Sequence, residues 1–195
     1  MTTRKHVIYG VLALVSLLGL GITQSARANF IAIINQVGTD VVVTGSGTID
    51  LTGLSFFANG SVANAAIIPI QGLLALNHGP IQLYANISGP FSFGSGASTL
   101  ASSSSGDAVG LDGFGSNRLF VPSGYVSGNP LSDTSTYNNA TFASLGITPG
   151  TYTWTWGTGI HADSFELQIV PEPSTSALLG LTGIGAAVMT YRRRK

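Results

Sequence analysis

Two stretches near the end of the chain alternate polar and apolar side chains with a period of two. Thr151-Tyr-Thr-Trp-Thr-Trp156 sets hydroxyls against aromatics. Ser164-Phe-Glu-Leu-Gln-Ile-Val170 puts Phe165, Leu167 and Ile169 on one side, and Glu166 and Gln168 on the other. Such alternation predicts strands with one face buried. Pro149-Gly150 makes a turn ahead of the first, Gly157-Thr-Gly159 connects the two, and Asp163 bounds the second, so an antiparallel hairpin is expected. Phe30–Ile34 and Asp40–Thr44 are short apolar runs bounded by glycine or asparagine and read as further strands. Gly47–Leu51, Ala66–Ile70, Ile81–Ile87, Arg118–Val121 and Thr141–Leu145 complete the candidates. Gly94 to Gly106 lacks apolar spacing and reads as a flexible loop or an edge strand. Between the termini no long stretch carries a clean 3.6-residue period. Many short strands with Gly, Pro and Asn turns predict an all-β domain over residues 29–169, an antiparallel β-sandwich or jelly-roll-like body.

The apolar pattern changes character at both ends. Arg4, Lys5 and His6 precede an uncharged apolar run from Val7 to Ile22, and Ser25-Ala26-Arg27-Ala28 follows it. A basic start, an apolar helix and small residues at Ala26 and Ala28 fit a signal peptide over residues 1–28, with signal peptidase cutting after Ala28. An uncleaved anchor is the competing reading, and the A-x-A spacing favours cleavage. At the other end, Val170-Pro171-Glu172-Pro173-Ser174 is followed by an uncharged run from Ser176 to Tyr191 and then Arg192, Arg193, Arg194 and Lys195. The two prolines disfavour helix and leave extended, accessible backbone. A helix over 176–191 reaches roughly 24 Å, short of a bilayer core of about 30 Å, and the arginines extend it by snorkelling. Four cations are costly to move through lipid, so the basic tail is expected on the cytoplasmic side of the inner membrane. A GPI signal normally ends apolar, which the terminal arginines contradict. A permanent anchor calls for about 20 apolar residues with fewer glycines than Gly180, Gly183 and Gly185 supply here.

At these residues the chain resembles the PEP-CTERM sorting signal of Gram-negative bacteria, over residues 170–195. The resemblance implies an exported protein, transiently held in the inner membrane, which a membrane protease/transpeptidase of the exosortase type recognises and cuts. Leu145–Gly157, Ala162–Phe165, Gly106–Gly110 and Val121–Tyr125 are similar to stretches in one group of PEP-CTERM proteins. That similarity implies a secreted β-rich domain and carries over no catalytic residues.

Charge refines the picture. The full chain is formally neutral, with eight basic and eight acidic residues. Between Asn29 and Val170, however, Arg118 is the one basic residue against seven acids, a net charge of −6. Such a body repels phosphate backbones, so nucleic acid is not an expected partner. The absence of cysteine removes disulfides, thiolate catalysis and Cys-based metal sites. The exported domain is therefore expected to stand on its core alone.

Candidate chemistry is sparse. His161 and Asp163, two apart, were they on one strand face, offer half of a metal or acid–base site, and His78 sits in a turn. Asp107 and Asp112, with the glycines around them, offer spaced oxygens without the EF-hand spacing or that of glycine-rich repeats. No G-x-S-x-G elbow stands at a strand–helix junction, and no phosphate loop is present. Tyr152, Trp154 and Trp156 point the same way; they read as core, with sugar stacking as the functional alternative. No catalytic set, metal or cofactor is expected. The leading expectation is a non-enzymatic surface or extracellular-matrix protein associated with exopolysaccharide or biofilm. A carbohydrate-binding module built on the aromatic strand comes second, and an exported hydrolase last.

Overall fold

The computed structural model of the chain describes residues 29–171. The expected signal helix with Ala26 and Ala28, the helix over 176–191, Glu172, Pro173, Ser174 and the Arg192–Lys195 tail lie outside the described residues. Among the described residues no helix is long and apolar enough to cross a membrane.

The described chain is all-β, in two sheets. Six strands are ordered β12 (Gly150–Trp156), β13 (Asp163–Val170), β1 (Asn29–Val37), β2 (Asp40–Gly47), β11 (Leu131–Tyr137) and β8 (Ser103–Gly106). Seven are ordered β3 (Ser55–Val62), β6 (Gly79–Ala85), β10 (Arg118–Pro122), β9 (Gly110–Asp112), β5 (Leu73–Ala75), β4 (Ala66–Ile68) and β7 (Thr99–Leu100). Alternate residues of a strand face opposite sides, so each sheet turns one row inward. Phe30, Ile34, Val43, Trp154, Phe165 and Leu167 from the six-stranded sheet meet Ile67, Leu74, Leu111, Leu119 and Val121 from the other in one continuous core. Phe165 stacks on Phe30 at 5.0 Å between ring centroids and takes Trp154 edge-on at 6.2 Å. The seven-stranded sheet carries a second, smaller apolar cluster of Ala75, Ile81, Ala108 and Phe120 on its opposite face.

The hairpin expected from the two alternating runs is present, with Trp154 opposite Phe165. The wholly antiparallel expectation needs correction, because β1 and β13 pair in parallel from Asn29↔Ser164 to Asn35↔Val170. The hairpin fixes the direction of β13. Its apolar row then matches Phe30, Ala32 and Ile34 of β1 with both strands running the same way.

Thr141–Leu145 is not a strand either. It forms the short helix α1 (Phe142–Leu145), held by a reciprocal cap. Ser144 N–H donates to Thr141 Oγ1 at 3.0 Å and Thr141 N–H donates to Ser144 Oγ at 2.8 Å. Gly146, at φ 62°, ends the turn. These local hydrogen bonds outcompete a ladder. Gly47–Leu51 leaves the sheet after Gly47 and turns instead toward the end of the domain. The Gly94–Gly106 stretch supplies two edge strands, β7 on one sheet and β8 on the other.

Candidate functional site

Two of the candidate polar residues, His161 and Asp163, come together where three connections meet at one end of the six-stranded sheet. These are the Thr48–Leu54 segment after β2, the turn around Tyr125–Asn129, and the Gly157–Ala162 link between β12 and β13. Asp50 is their hub. Its backbone N–H donates to Asp163 Oδ2 at 2.6 Å, and its carbonyl accepts Trp156 Nε1–H at 2.7 Å. Oδ1 accepts from Thr52 N–H at 2.8 Å and from the Ser127 hydroxyl at 3.0 Å. Oδ2 lies 2.8 Å from His161 Nδ1. Tyr125 pins the neighbouring residue, accepting from Ile49 N–H at 3.0 Å and donating to Asn129 O at 2.7 Å.

The electrostatics follow from this wiring. Burial raises the Asp50 carboxyl, but the hydrogen bonds from His161, Thr52 and Ser127 outweigh it and hold the group well below the usual carboxylate range. Burial pushes Asp163 up to about 6, against the two backbone N–H groups of Asp50 and Ser164 that favour its charged form. Two acids in one knot thus take opposite protonation behaviour.

His161 lies in a short 3₁₀ turn just before β13, so it does not share a strand face with Asp163 as the spacing suggested. The structure instead brings both to Asp50, 111 and 113 positions away in sequence. With Nδ1 on Asp50, Nε2 is the ring nitrogen open to other partners. His161 borders a cleft of about 550 Å³ lined also by Thr52, Asn86, Ser88, Thr155 and Thr158. Hydroxyls are present in this cleft, yet none of them hydrogen-bonds to His161 among the described residues. The arrangement is a carboxylate–imidazole pair that can accept or donate a proton, without the bonded nucleophile of a triad. His78, beside the start of β6, does not join it. Among the described residues no group of three or more His, Asp or Glu side chains is placed to hold a metal ion.

The Asp107 and Asp112 oxygens do not converge. Asp107 Oδ2 accepts Ser132 N–H at 2.8 Å. Asp112 accepts Phe114 N–H at 3.0 Å and pairs with Arg118 Nη2 at 3.0 Å.

The sugar-stacking alternative for Tyr152, Trp154 and Trp156 also needs correction. Trp154 is 1% exposed and Trp156, which borders the His161 cleft, 5%, so neither indole presents an open face to solvent. Trp154 Nε1–H donates to Pro90 O at 3.0 Å, and Tyr152, half-buried, donates to Thr148 O at 3.0 Å. The aromatic row faces the core because a disulfide-free body needs its largest apolar surfaces inside.

Asp50, Tyr125 and Ser127 had no signal in the sequence. Their partners are distant along the chain, and Asp50 sits in an ordinary Ile-Asp-Leu-Thr-Gly stretch.

Two residues of the sorting segment are described. Val170 closes β13 and Pro171 follows it, both exposed. Residues 170–195 match the family model described as the PEP-CTERM protein-sorting motif. No curated protein and no solved structure matches the chain.

Proposed function

We propose that this PEP-CTERM chain is a non-enzymatic surface or extracellular-matrix protein, a β-rich body delivered by its C-terminal signal into an exopolysaccharide or biofilm setting. The match over 170–195 supports an exported protein sorted to the cell surface by an exosortase. The observation that carries the reading is the junction at Val170. The sorting motif begins on the last residue of β13, directly after a strand held between β12 and β1. Cleavage beyond Pro171 then releases a complete two-sheet body, with no strand lost. In this reading the uncharged stretch 176–191 holds the precursor in the inner membrane, with Arg192–Lys195 retained on the cytoplasmic side.

The non-enzymatic part draws support from the Asp50–His161 pair, which has no bonded nucleophile among the described residues, and from the Asp107 and Asp112 oxygens, which are used in local structure. With both indoles buried, the aromatic strand offers no stacking platform for sugar rings.

The test is the fate of chains altered in the signal. Pro171→Ala with Pro173→Ala, or Arg192–Lys195 replaced by glutamates, is expected to leave uncut precursor in the inner-membrane fraction while the natural sequence reaches the surface. Equal surface delivery of all three would overturn the sorting reading. Catalytic turnover of esters, peptides or glycosides by the purified protein, lost in His161→Ala, would overturn the non-enzymatic one.

A further inference from the structure

We propose that the free edge of β3 pairs antiparallel with β3 of a second copy of this chain, joining two seven-stranded sheets edge to edge. β3 is the terminal strand of its sheet, bonded to β6 on one side. Among the described residues its outer backbone groups find no partner. At eight residues it is the longest edge in the domain. The other edges are short or covered: β7 has two residues, β8 has four, and β12 exchanges two backbone hydrogen bonds with Ser88 at Thr155.

Proteins normally guard an exposed edge with lysine, proline or an inward charge. Ser-Phe-Phe-Ala-Asn-Gly-Ser-Val has none of these, and Phe56 and Phe57 stand 55% and 56% exposed on it. A bulge interrupts it only between Phe56 and Ala58, and Ala58–Val62 runs regular against β6.

The distribution of charge selects the partner. The domain carries −6, yet no Asp, Glu, Lys or Arg occurs between Asp50 and Asp107. In the seven-stranded sheet the charged residues are Asp112 and Arg118, which neutralise each other in a 3.0 Å pair. Two copies of an acidic body repel over most of their surface, and on this side the sheet's one carboxylate, Asp112, is already paired. A strand paired antiparallel with itself across a twofold axis is self-complementary, each donor facing an acceptor of the other copy. The second copy brings an equally uncharged strand, so pairing buries no unpaired ion.

The chain has no cysteine, so a single introduced one reports the contact in the full-length protein. Asn59→Cys and Ser61→Cys on β3, and Thr153→Cys on β12 as the control edge, are expressed in cells, oxidised mildly and run without reductant. The proposal expects a disulfide-linked homodimer at a β3 position at least tenfold above the Thr153→Cys control. Adding Phe57→Lys to Asn59→Cys is expected to cut that dimer at least tenfold, with the far-ultraviolet circular dichroism of the purified protein unchanged. Arg118 stacks its guanidinium over the Phe57 ring, 4.7 Å from the centroid; Ser61→Lys leaves that contact intact and is a second charged edge with the same expectation. Monomer at both β3 positions, equal dimer at Thr153, or a linked product of another mass overturns it.

Discussion

Val170, the last residue of β13, lies directly opposite Asn35 of β1 in a parallel pair. β13 is flanked by β12 and β1, so the residue that opens the sorting motif is also a rung of an interior strand. The boundary between body and signal is therefore sharp. Ending the chain after Pro171 is expected to leave the thermal midpoint within about 2 °C of the longer protein. Ending it after Glu166 removes Leu167 and Ile169 from the core and is expected to abolish cooperative unfolding. Two buried aliphatic side chains contribute roughly 2–5 kcal/mol each, against a total of about 5–15. Calorimetry of both truncations checks this.

A second expectation concerns the two tryptophans, the whole complement of the chain. Native emission should be blue-shifted and resist quenching by iodide, with quenching rising severalfold in urea. Trp154→Ala should cost about 3–5 kcal/mol in urea unfolding, the range for truncating a large buried aromatic. Strong native quenching would mean the aromatic strand faces outward.

The knot at Asp50 separates backbone wiring from surface charge. Asp50→Ala strips acceptors from Thr52, Ser127 and His161 together, and about 2–3 kcal/mol of destabilisation is expected. His161 is half exposed, so His161→Ala should cost under about 1 kcal/mol. Comparable losses in the two variants would put the strength of the knot in the His161–Asp50 contact.

Stability should fall as pH rises from about 4 to 8. Asp133 is buried on β11, opposite Gly45 of β2 and Gly106 of β8, and neither of its oxygens has a hydrogen-bond partner among the described residues. Burial, and then the negative charge of Asp107, push its carboxyl up to about 7 from 3.8. Above pH 3.8 the unfolded chain releases this proton while the folded one keeps it. Its contribution is thus complete below that pH and is lost as pH rises through 7. Asp163, raised to about 6, acts in the same direction. Asp50, held low, acts oppositely and only as pH falls below 3.8. A drop in melting temperature on the order of 10 °C between pH 4 and 8 is expected, most of it absent in Asp133→Asn. A flat profile in the natural sequence would contradict this protonation scheme.

Legibility followed side-chain pattern. β12, β13, β1 and β2 each bury one face with apolar residues and β10 buries both, and their alternation or apolar runs were visible. β11 was not, because its inward row reads Leu131, Asp133, Ser135, Tyr137 and mixes polar with apolar. β3 was not, because an edge strand exposed along nearly its whole length has no buried face to imprint a period. The parallel β1–β13 pair and the Asp50 knot join residues far apart along the chain, Asp50 reaching Ser127 across 77 positions and Asp163 across 113, beyond the reach of any local pattern. The C-terminal signal, by contrast, is local chemistry in one short segment and was readable whole.

The most direct measurement is the intact mass of the protein recovered from its own cells, outside the inner membrane. Export and sorting require that residues 1–28 and everything beyond the Pro171–Pro173 region be missing, with any added mass carried at the new C-terminus. A single species of full-length mass, Met1 through Lys195, in the cytosol would contradict it.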